Sequence, residues 1–166
     1  VSLGSINGES WFAVSAVDDD DRGSSSGSVR ILSIASDLSI TRHQDIHGIN
    51  AGDRFGASLA ACDLDNDSNT AELIVGAPLA DAKGVIDAGA VYVLVKWIPS
   101  NDPFESEGVW FGQAAGDHFG CSVAGLGSWG DDEGEASGSG GGVFGAIVIG
   151  ADSTDVGGAA SGSVYV

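Results

Sequence analysis

Residues 51–60 read AGDRFGASLA, and residues 115–124 read AGDHFGCSVA. The two copies begin 64 residues apart, and each is followed by a polar loop and an apolar segment that ends in Gly-Ala. These segments are LIVGAP at 73–78 and IVIGAD at 147–152, and a degraded copy, FAVSAV, occupies positions 12–17. Self-similarity at a fixed spacing is the signature of a repeat architecture.

Short apolar runs dominate the rest of each repeat. They are rich in β-branched residues and bounded by Gly, Asp, Asn, Ser or Pro, which is typical of strands between turns. No segment shows a 3.6-residue apolar period over three turns, so helices are not expected. The predicted strands include 29–34, 73–75, 91–95, 146–149 and 164–166. The sequence therefore predicts an all-β protein.

The repeated motifs resemble those of a known family. Phe55-Gly56 followed by Gly76-Ala77-Pro78 is similar to the FG-GAP repeat, the blade of the β-propeller in integrin alpha subunits and related extracellular proteins. The third copy keeps Phe119-Gly120 but ends in Gly-Ala-Asp. The resemblance implies four-stranded antiparallel blades and a non-catalytic, calcium-binding module for adhesion or for ligand or protein binding. It also implies an extracellular or cell-surface location, with ligands on one face and calcium loops on the other.

The repeat count predicts a single all-β repeat domain over residues 1–166. Its expected parts are a partial blade at 1–34 and blades at 35–98 and 99–166. Propellers usually have four to eight blades, whereas this chain supplies about two and a half. We therefore expect the chain to be part of a larger propeller or assembly. Protein partners, or further copies of the chain, would complete the blades by covering open faces and strand edges.

Charge and composition narrow the class of partner. The formal net charge is −18 and only six residues are Lys or Arg, so nucleic acid binding is not expected. No stretch of 18 apolar residues exists, so no transmembrane segment is predicted. The chain has no Met and starts with Val1, which favours a cleaved product or a piece of a longer chain.

The loop that follows residue 62 begins with three aspartates at alternate positions. Asp63, Asp65 and Asp67 hold positions 1, 3 and 5 of DLDNDSNTAE, a spacing that wraps oxygens around one hard cation such as Ca²⁺. The backbone carbonyl of Asn69 at position 7 commonly adds a ligand. The resemblance implies an acidic residue at position 9, where this chain has Ala71, and Glu72 reaching back would replace it. The alternative is a solvated acidic turn without an ion.

Two other acidic segments give weaker predictions. Residues 131–135 lie where the third repeat would carry its cation loop, and they predict either a rearranged site or a mobile acidic loop. Asp18 to Asp21 lie on the other side of a strand and predict a solvent-facing loop rather than a metal site.

The glycines of the repeated motif have a structural explanation. Gly56 and Gly120 each follow a bulky aromatic residue, where a bare backbone permits close approach between neighbouring sheets. Phe55 and Phe119 would then be wedges between blades. The alternative is an ordinary core phenylalanine beside a turn glycine.

Catalysis has little support in the sequence. His43 and His47 stand four apart without a helical pattern around them, so a shared zinc site is not expected. Cys62 and Cys121 lack a neighbouring His that would activate them, and they either pair or remain free thiols. The sequence therefore predicts that the chain is not an enzyme. Two alternative functions remain: a self-assembling structural subunit of an extracellular filament or matrix, and an accessory domain of a secreted hydrolase.

Overall fold

The computed structural model describes residues 1–64, 71–95, 105–129, 144–154 and 161–166. These residues form β-strands joined by turns, and no helix occurs among them, so the all-β prediction is confirmed. The described part of the chain thus has no helix with the length and apolar character that crossing a membrane requires. The strands are β1 (Ser2–Ile6), β2 (Glu9–Ala16), β3 (Ser28–Ile34), β4 (Ile40–His47), β5 (Ser58–Cys62), β6 (Glu72–Ala77), β7 (Ala90–Val95), β8 (Glu105–Phe111), β9 (Phe119–Trp129), β10 (Phe144–Ala151) and β11 (Ser163–Tyr165).

The strands form three antiparallel sheets in chain order. The first sheet contains β1 to β4, the second contains β5 to β8, and the third contains β9 to β11. In each sheet consecutive strands pair with each other, so every sheet is a simple meander. This arrangement is consistent with blades of a partial propeller.

The sheets do not coincide with the units counted from the sequence. The boundary expected after Ile34 falls between β3 and β4, which pair along their length from Ile34 with Ile40 to Ser28 with His47. The first sheet therefore has four strands and extends to His47, whereas the sequence predicted a partial blade that ends at residue 34. The fourth strand escaped detection because β4 is mostly exposed or half-buried and carries no apolar run.

The second sheet lies between the other two. Leu73 and Val75 of β6 pack in one apolar cluster with Val29 and Ile31 of the first sheet. Ile74, which lies between them in sequence, packs in a second cluster with residues of the third sheet. Successive residues of a strand point to opposite faces, so both faces of β6 are covered. All six residues of this strand are buried.

The motif glycines lie at these two junctions between sheets. Gly56 has a φ of 91°, and a Cβ there would lie 2.8 Å from the Ser15 Cβ of the first sheet. Gly120 has a φ of 90°, and its Cβ would lie 2.6 Å from the Ala90 carbonyl oxygen of the second sheet. The predicted close approach of neighbouring sheets is confirmed at both glycines.

The two motif phenylalanines join one sheet to the next. Phe55 is 3% exposed, its N–H donates to the Ser26 carbonyl at 3.0 Å, and its ring lies edge-on to Tyr92 at 5.2 Å. Phe119 lies edge-on to Tyr165 at the same centroid distance. Because its backbone contacts the first sheet and its ring contacts the second, Phe55 is the predicted wedge.

The aspartate of the repeated AGD sequence closes the turn before each phenylalanine. Asp53 is buried and accepts hydrogen bonds from the backbone and side-chain nitrogens of Asn50. Asp117 is buried likewise and accepts from the backbone N–H groups of Gln113 and Ala114. Burial raises the pKa of Asp53, against the hydrogen bonds from Asn50 that lower it. The turn therefore depends on a buried acceptor at this position.

The face of the first sheet that points away from the second carries an ion-pair group. Asp45 accepts hydrogen bonds from Arg30 and from Arg42. At the same register of the second sheet, Tyr92 pairs with Val109, and both pack in the apolar cluster against the first sheet. The exposed face of the first sheet thus carries an ionic pair at the register where the covered face of the second sheet carries an apolar pair.

Acid should remove the contribution of this ion-pair group to stability. Hydrogen bonding from Arg30 lowers the pKa of Asp45 to about 2, against an opposing effect of burial. The folded-state pKa lies below the unfolded value, so the contribution is present above about pH 4 and is lost as the pH falls towards 2. Both arginines are about half exposed, which reduces the contribution to roughly 1 kcal/mol. Urea unfolding of the wild type and Asp45→Asn should show a difference at pH 7 that shrinks below pH 4 and is lost as the pH falls through about 2. A difference independent of pH would contradict this assignment.

Candidate metal centre

The predicted cation loop leaves and re-enters the second sheet at one hairpin base. Cys62, the last residue of β5, pairs with Glu72, the first residue of β6. Asp63 follows Cys62 directly, so Asp63 and Glu72 stand at the two ends of the loop. Of the other predicted ligands, Asp65, Asp67 and Asn69 lie outside the described residues.

Asp63 has a buried oxygen that needs a partner. Its Oδ1 atom is buried and makes no hydrogen bond among the described residues. Leaving a buried carboxylate oxygen unpaired costs free energy, because the oxygen loses water without gaining a donor. A cation bound at the loop would satisfy this oxygen, so the residue fits the predicted metal site.

Glu72 is directed back towards the loop. It is 5% exposed, and its Oε2 atom accepts a hydrogen bond of 2.5 Å from the Leu64 backbone N–H. The Leu64 carbonyl in turn accepts from the Gly145 N–H of β10 at 3.0 Å. The start of the loop is therefore held both by Glu72 and by the third sheet, which places two acidic side chains at a fixed hairpin base.

The cysteine beside this site is not an activated thiol. Burial raises the pKa of Cys62, and the charges of Glu72 and Asp63 raise it further. A raised pKa keeps the sulfur protonated at neutral pH, and the thiolate is the reactive form. Cys62 and Cys121 are both free, so the disulfide alternative is not found.

A second group of potential metal ligands lies at the loop between β2 and β3. Asp19, Asp21 and His47 each offer one atom that could bind a metal, and these three atoms lie within 4.8 Å of one another. The Asp19 carboxylate also accepts from the Ser28 hydroxyl at 2.6 Å and the Asp21 N–H at 2.8 Å, and these bonds lower its pKa. Sequence reasoning expected only a solvent-facing loop at Asp18 to Asp21.

This group was missed because its members come from distant parts of the chain. His47 ends β4 and pairs with Ser28, the first residue of β3, which brings the imidazole to the loop that holds the two aspartates. The positions of the second repeat that correspond to Asp19, Asp21 and His47 hold Ala80, Ala82 and Phe111. No repeated pattern therefore marks the group, and only the strand pairing could have indicated it.

The two histidines of β4 have different surroundings. His43 stacks on Trp11 with ring centroids 3.9 Å apart, and its Nε2 atom lies 2.8 Å from the Ser33 hydroxyl. The Nδ1 atom of His47 instead lies 3.9 Å from the Oδ2 atom of Asp21. The residues at 131–135, where a second acidic loop was predicted, fall outside the described part of the chain.

Comparison with known proteins agrees with the motifs and the fold. The FG-GAP repeat family matches residues 55–94, which run from the wedge Phe55 to near the end of β7. Integrin alpha-3 of Cricetulus griseus is 32% identical over 106 residues, which are 64% of this chain and 10% of that protein. The chain thus spans about a tenth of the length of this relative. The resemblance predicted from the sequence is confirmed: residues 55–94 match the FG-GAP repeat family, and the chain is similar to an integrin alpha subunit.

Proposed function

We propose that the chain is a non-catalytic extracellular module that binds Ca²⁺ in the loop from Asp63 to Glu72 and binds protein partners. The observation that carries the calcium proposal is the buried Oδ1 atom of Asp63, which makes no hydrogen bond to any residue that the structure describes. Asp63, Asp65, Asp67 and Glu72 would supply carboxylate oxygens, and Asn69 its backbone carbonyl. Carboxylate and carbonyl oxygens suit Ca²⁺, and a carboxylate that binds through both oxygens would bring these five residues to the six ligand atoms that the ion needs at least. The similarity to an integrin alpha subunit supports an extracellular or cell-surface location and a role in adhesion.

The ion would act on structure rather than on chemistry. Carboxylates gathered in one short loop repel one another, and a divalent cation removes that repulsion. The loop starts at a point held by Glu72 and by Gly145 of the third sheet. Calcium in the loop would therefore stiffen the junction between the second and third sheets.

Calcium should raise the stability of the wild-type chain. A ligand that binds only the folded state adds about 2.7 kcal/mol at a concentration 100 times its Kd. For a chain of this size, this gain raises the Tm by roughly 5–10 °C. Differential scanning calorimetry with calcium and with chelator measures the shift, and calorimetric titration measures the Kd.

Two variants test whether the predicted loop is the site. Asp63→Asn should weaken calcium binding at least tenfold, because it removes one charge from the ligand set. Asp37→Asn removes one acidic charge from the exposed turn between β3 and β4, away from both groups of potential metal ligands, and should leave the calcium response unchanged. No shift in the wild type, or an unchanged shift in Asp63→Asn, would contradict the proposal.

We also propose that the three sheets are part of a larger propeller or assembly that partners or further copies of the chain complete. Among the described strands, the third sheet has three where the other two have four. Val164 and Val166 at the edge of the third sheet are 70% and 88% exposed. Exposed apolar side chains at a sheet edge are typical of surfaces that bind another polypeptide.

A further inference from the structure

The group of Asp19, Asp21 and His47 lies at the end of the first sheet that is remote from the predicted cation loop. The loop between β2 and β3, which carries the two aspartates, is joined to the backbone just before β5 by a hydrogen bond of 3.0 Å from the Phe55 N–H to the Ser26 carbonyl. The predicted cation loop instead follows the last residue of β5. The two groups are therefore separated by the length of this strand, roughly 17 Å for its five residues.

Asp19 is held in place by bonds within the protein. Its backbone carbonyl accepts from the Gly27 N–H at 3.0 Å and from the Ser26 hydroxyl at 3.1 Å. One oxygen of its carboxylate accepts from the Ser28 hydroxyl at 2.6 Å, and the other accepts from the Asp21 N–H at 2.8 Å. Each carboxylate oxygen has two lone pairs, so both can still bind a metal ion. A ligand that is already ordered loses little conformational entropy when the ion binds.

The Nδ1 atom of His47 points into this group and lacks a hydrogen bond. The His47 side chain is 22% exposed, but its Nδ1 atom is buried and makes no hydrogen bond to any residue that the structure describes. The Oδ2 atom of Asp21 is 3.9 Å away, which is too far for a hydrogen bond. A buried nitrogen without a partner costs free energy. A metal ion between this nitrogen and the two carboxylates would remove that cost.

We propose that Asp19, Asp21 and His47 form a second metal site, which binds Zn²⁺ in preference to Ca²⁺. Zinc binds imidazole nitrogen and carboxylate oxygen, and a zinc ion with three protein ligands keeps its fourth tetrahedral position for water. Calcium in contrast takes six to eight ligands, and all of them are oxygens. The imidazole nitrogen therefore sets this site apart from the oxygen-rich loop at the other end of β5.

The spacing of the three side chains is close to that of a zinc site. Zinc bonds of about 2.0–2.2 Å place two ligands of a tetrahedral ion about 3.4 Å apart. The Nδ1 atom of His47 and the Oδ2 atom of Asp21 are 3.9 Å apart, so a movement of about half an ångström brings them to zinc distances. The Asp21 side chain is 71% exposed, and rotation of this side chain supplies the movement.

The charges around the group favour a divalent cation. The hydrogen bond from Ser28 lowers the pKa of Asp19, which keeps this carboxylate ionised at neutral pH. Arg30 interacts electrostatically with Asp19 and Asp21, but its guanidinium donates two hydrogen bonds of 2.9 Å to Asp45. Two carboxylates that lie close together repel each other, and a divalent cation removes this repulsion.

Zinc at this site would fix the end of β4. Among the described strands β4 pairs only with β3, and its first four residues are exposed. His47 is the last residue of β4, so an ion bound by both His47 and Asp19 ties this strand to the loop that precedes β3. The ion would therefore limit fraying of β4.

Nitrogen NMR of the histidine rings tests the proposal on the intact chain. The three histidines are assigned by comparison with His43→Gln, His47→Gln and His118→Gln. With calcium present in excess, zinc should shift the Nδ1 signal of His47 until one equivalent is bound and leave the other two rings unchanged. Calcium alone should leave His47 unchanged. A His47 signal that zinc does not move, or moves no more than that of His118, would show adventitious binding only and overturn the inference.

Calorimetric titration of zinc into three variants tests the ligands. Asp21→Asn and His47→Gln should each lower the zinc affinity roughly tenfold or more, because each removes a ligand. Ser28→Ala should lower it about tenfold, since the loss of a partner that orients a ligand typically costs 10–100-fold in affinity. The Asp21 side chain is exposed, so Asp21→Asn remains informative if His47→Gln unfolds the chain. Wild-type affinity in Asp21→Asn would overturn the inference.

His118→Gln is the matched control for His47→Gln. His118 also contacts an aspartate, since its Nδ1 atom lies 2.9 Å from Asp152, but no third potential metal ligand joins them in the part of the chain that the structure describes. This variant should bind zinc as the wild type does, and an equal loss in the two histidine variants would contradict the site. Asp63→Asn should also leave zinc binding unchanged, so failure of the calcium proposal is distinguishable from failure of this one.

Discussion

Replacing Gly89 with alanine is expected to destabilise the chain by about 3–4 kcal/mol, whereas the same replacement at Gly84 should cost only about 1 kcal/mol. Both glycines lie in the loop between β6 and β7, and both have a φ of 85°. A Cβ at Gly84 would meet no atom within 4 Å, while one at Gly89 would lie 2.2 Å from the Phe119 oxygen. Both variants place alanine in a left-handed backbone conformation, and only Gly89→Ala adds a steric clash with a neighbouring strand.

Urea unfolding of both variants measures these two costs separately. The difference between them reports the close packing of Gly89 against the backbone of Phe119 at the start of β9, and so the junction of the second and third sheets. Equal losses in the two variants would show that the left-handed backbone conformation, rather than the approach of Phe119, is what requires glycine at position 89.

Removing the Phe55 ring should cost about 3–5 kcal/mol, the usual range for a buried phenylalanine changed to alanine. Phe55 is 3% exposed, and its ring packs in the cluster that joins the first and second sheets. The cavity in Phe55→Ala would lie between two sheets, where the backbone cannot close without moving one sheet against the other. Thermal and urea unfolding measure the loss.

Phe111→Ala is the matched control for Phe55→Ala. Phe111 is 37% exposed at the end of β8, so its truncation should cost only about 1–2 kcal/mol. If the two variants lost the same stability, the wedge role of Phe55 would be contradicted.

The sequence predicted the strands that carry apolar runs and missed those that do not. β6, β7 and β10 were predicted because each is a continuous β-branched run, which is typical of a strand buried on both faces or at a junction. β4 was missed since its first four residues are exposed, and its place is fixed by pairing with β3. A strand without an apolar run, such as β4, was therefore less predictable than a strand with one.

The candidate metal site was predictable only where its ligands are close in sequence. The spacing from Asp63 to Glu72 indicated an oxygen-rich loop, and the pairing of Cys62 with Glu72 places both ends at one point. The group of Asp19, Asp21 and His47 depends on a strand pairing between residues 28 and 47. Long-range pairing of this kind leaves no local pattern for sequence reasoning to detect.

The position of the second sheet between two others determines how the molecule opens. Amide groups exchange with solvent only when their hydrogen bonds break and water reaches them. For β6 and β7, whose residues are almost all buried, water enters only after a neighbouring sheet has separated on each side. The exposed strand β4 can fray while the remaining strands stay paired. The amide groups of the β6–β7 hairpin should therefore exchange more slowly than those of β4.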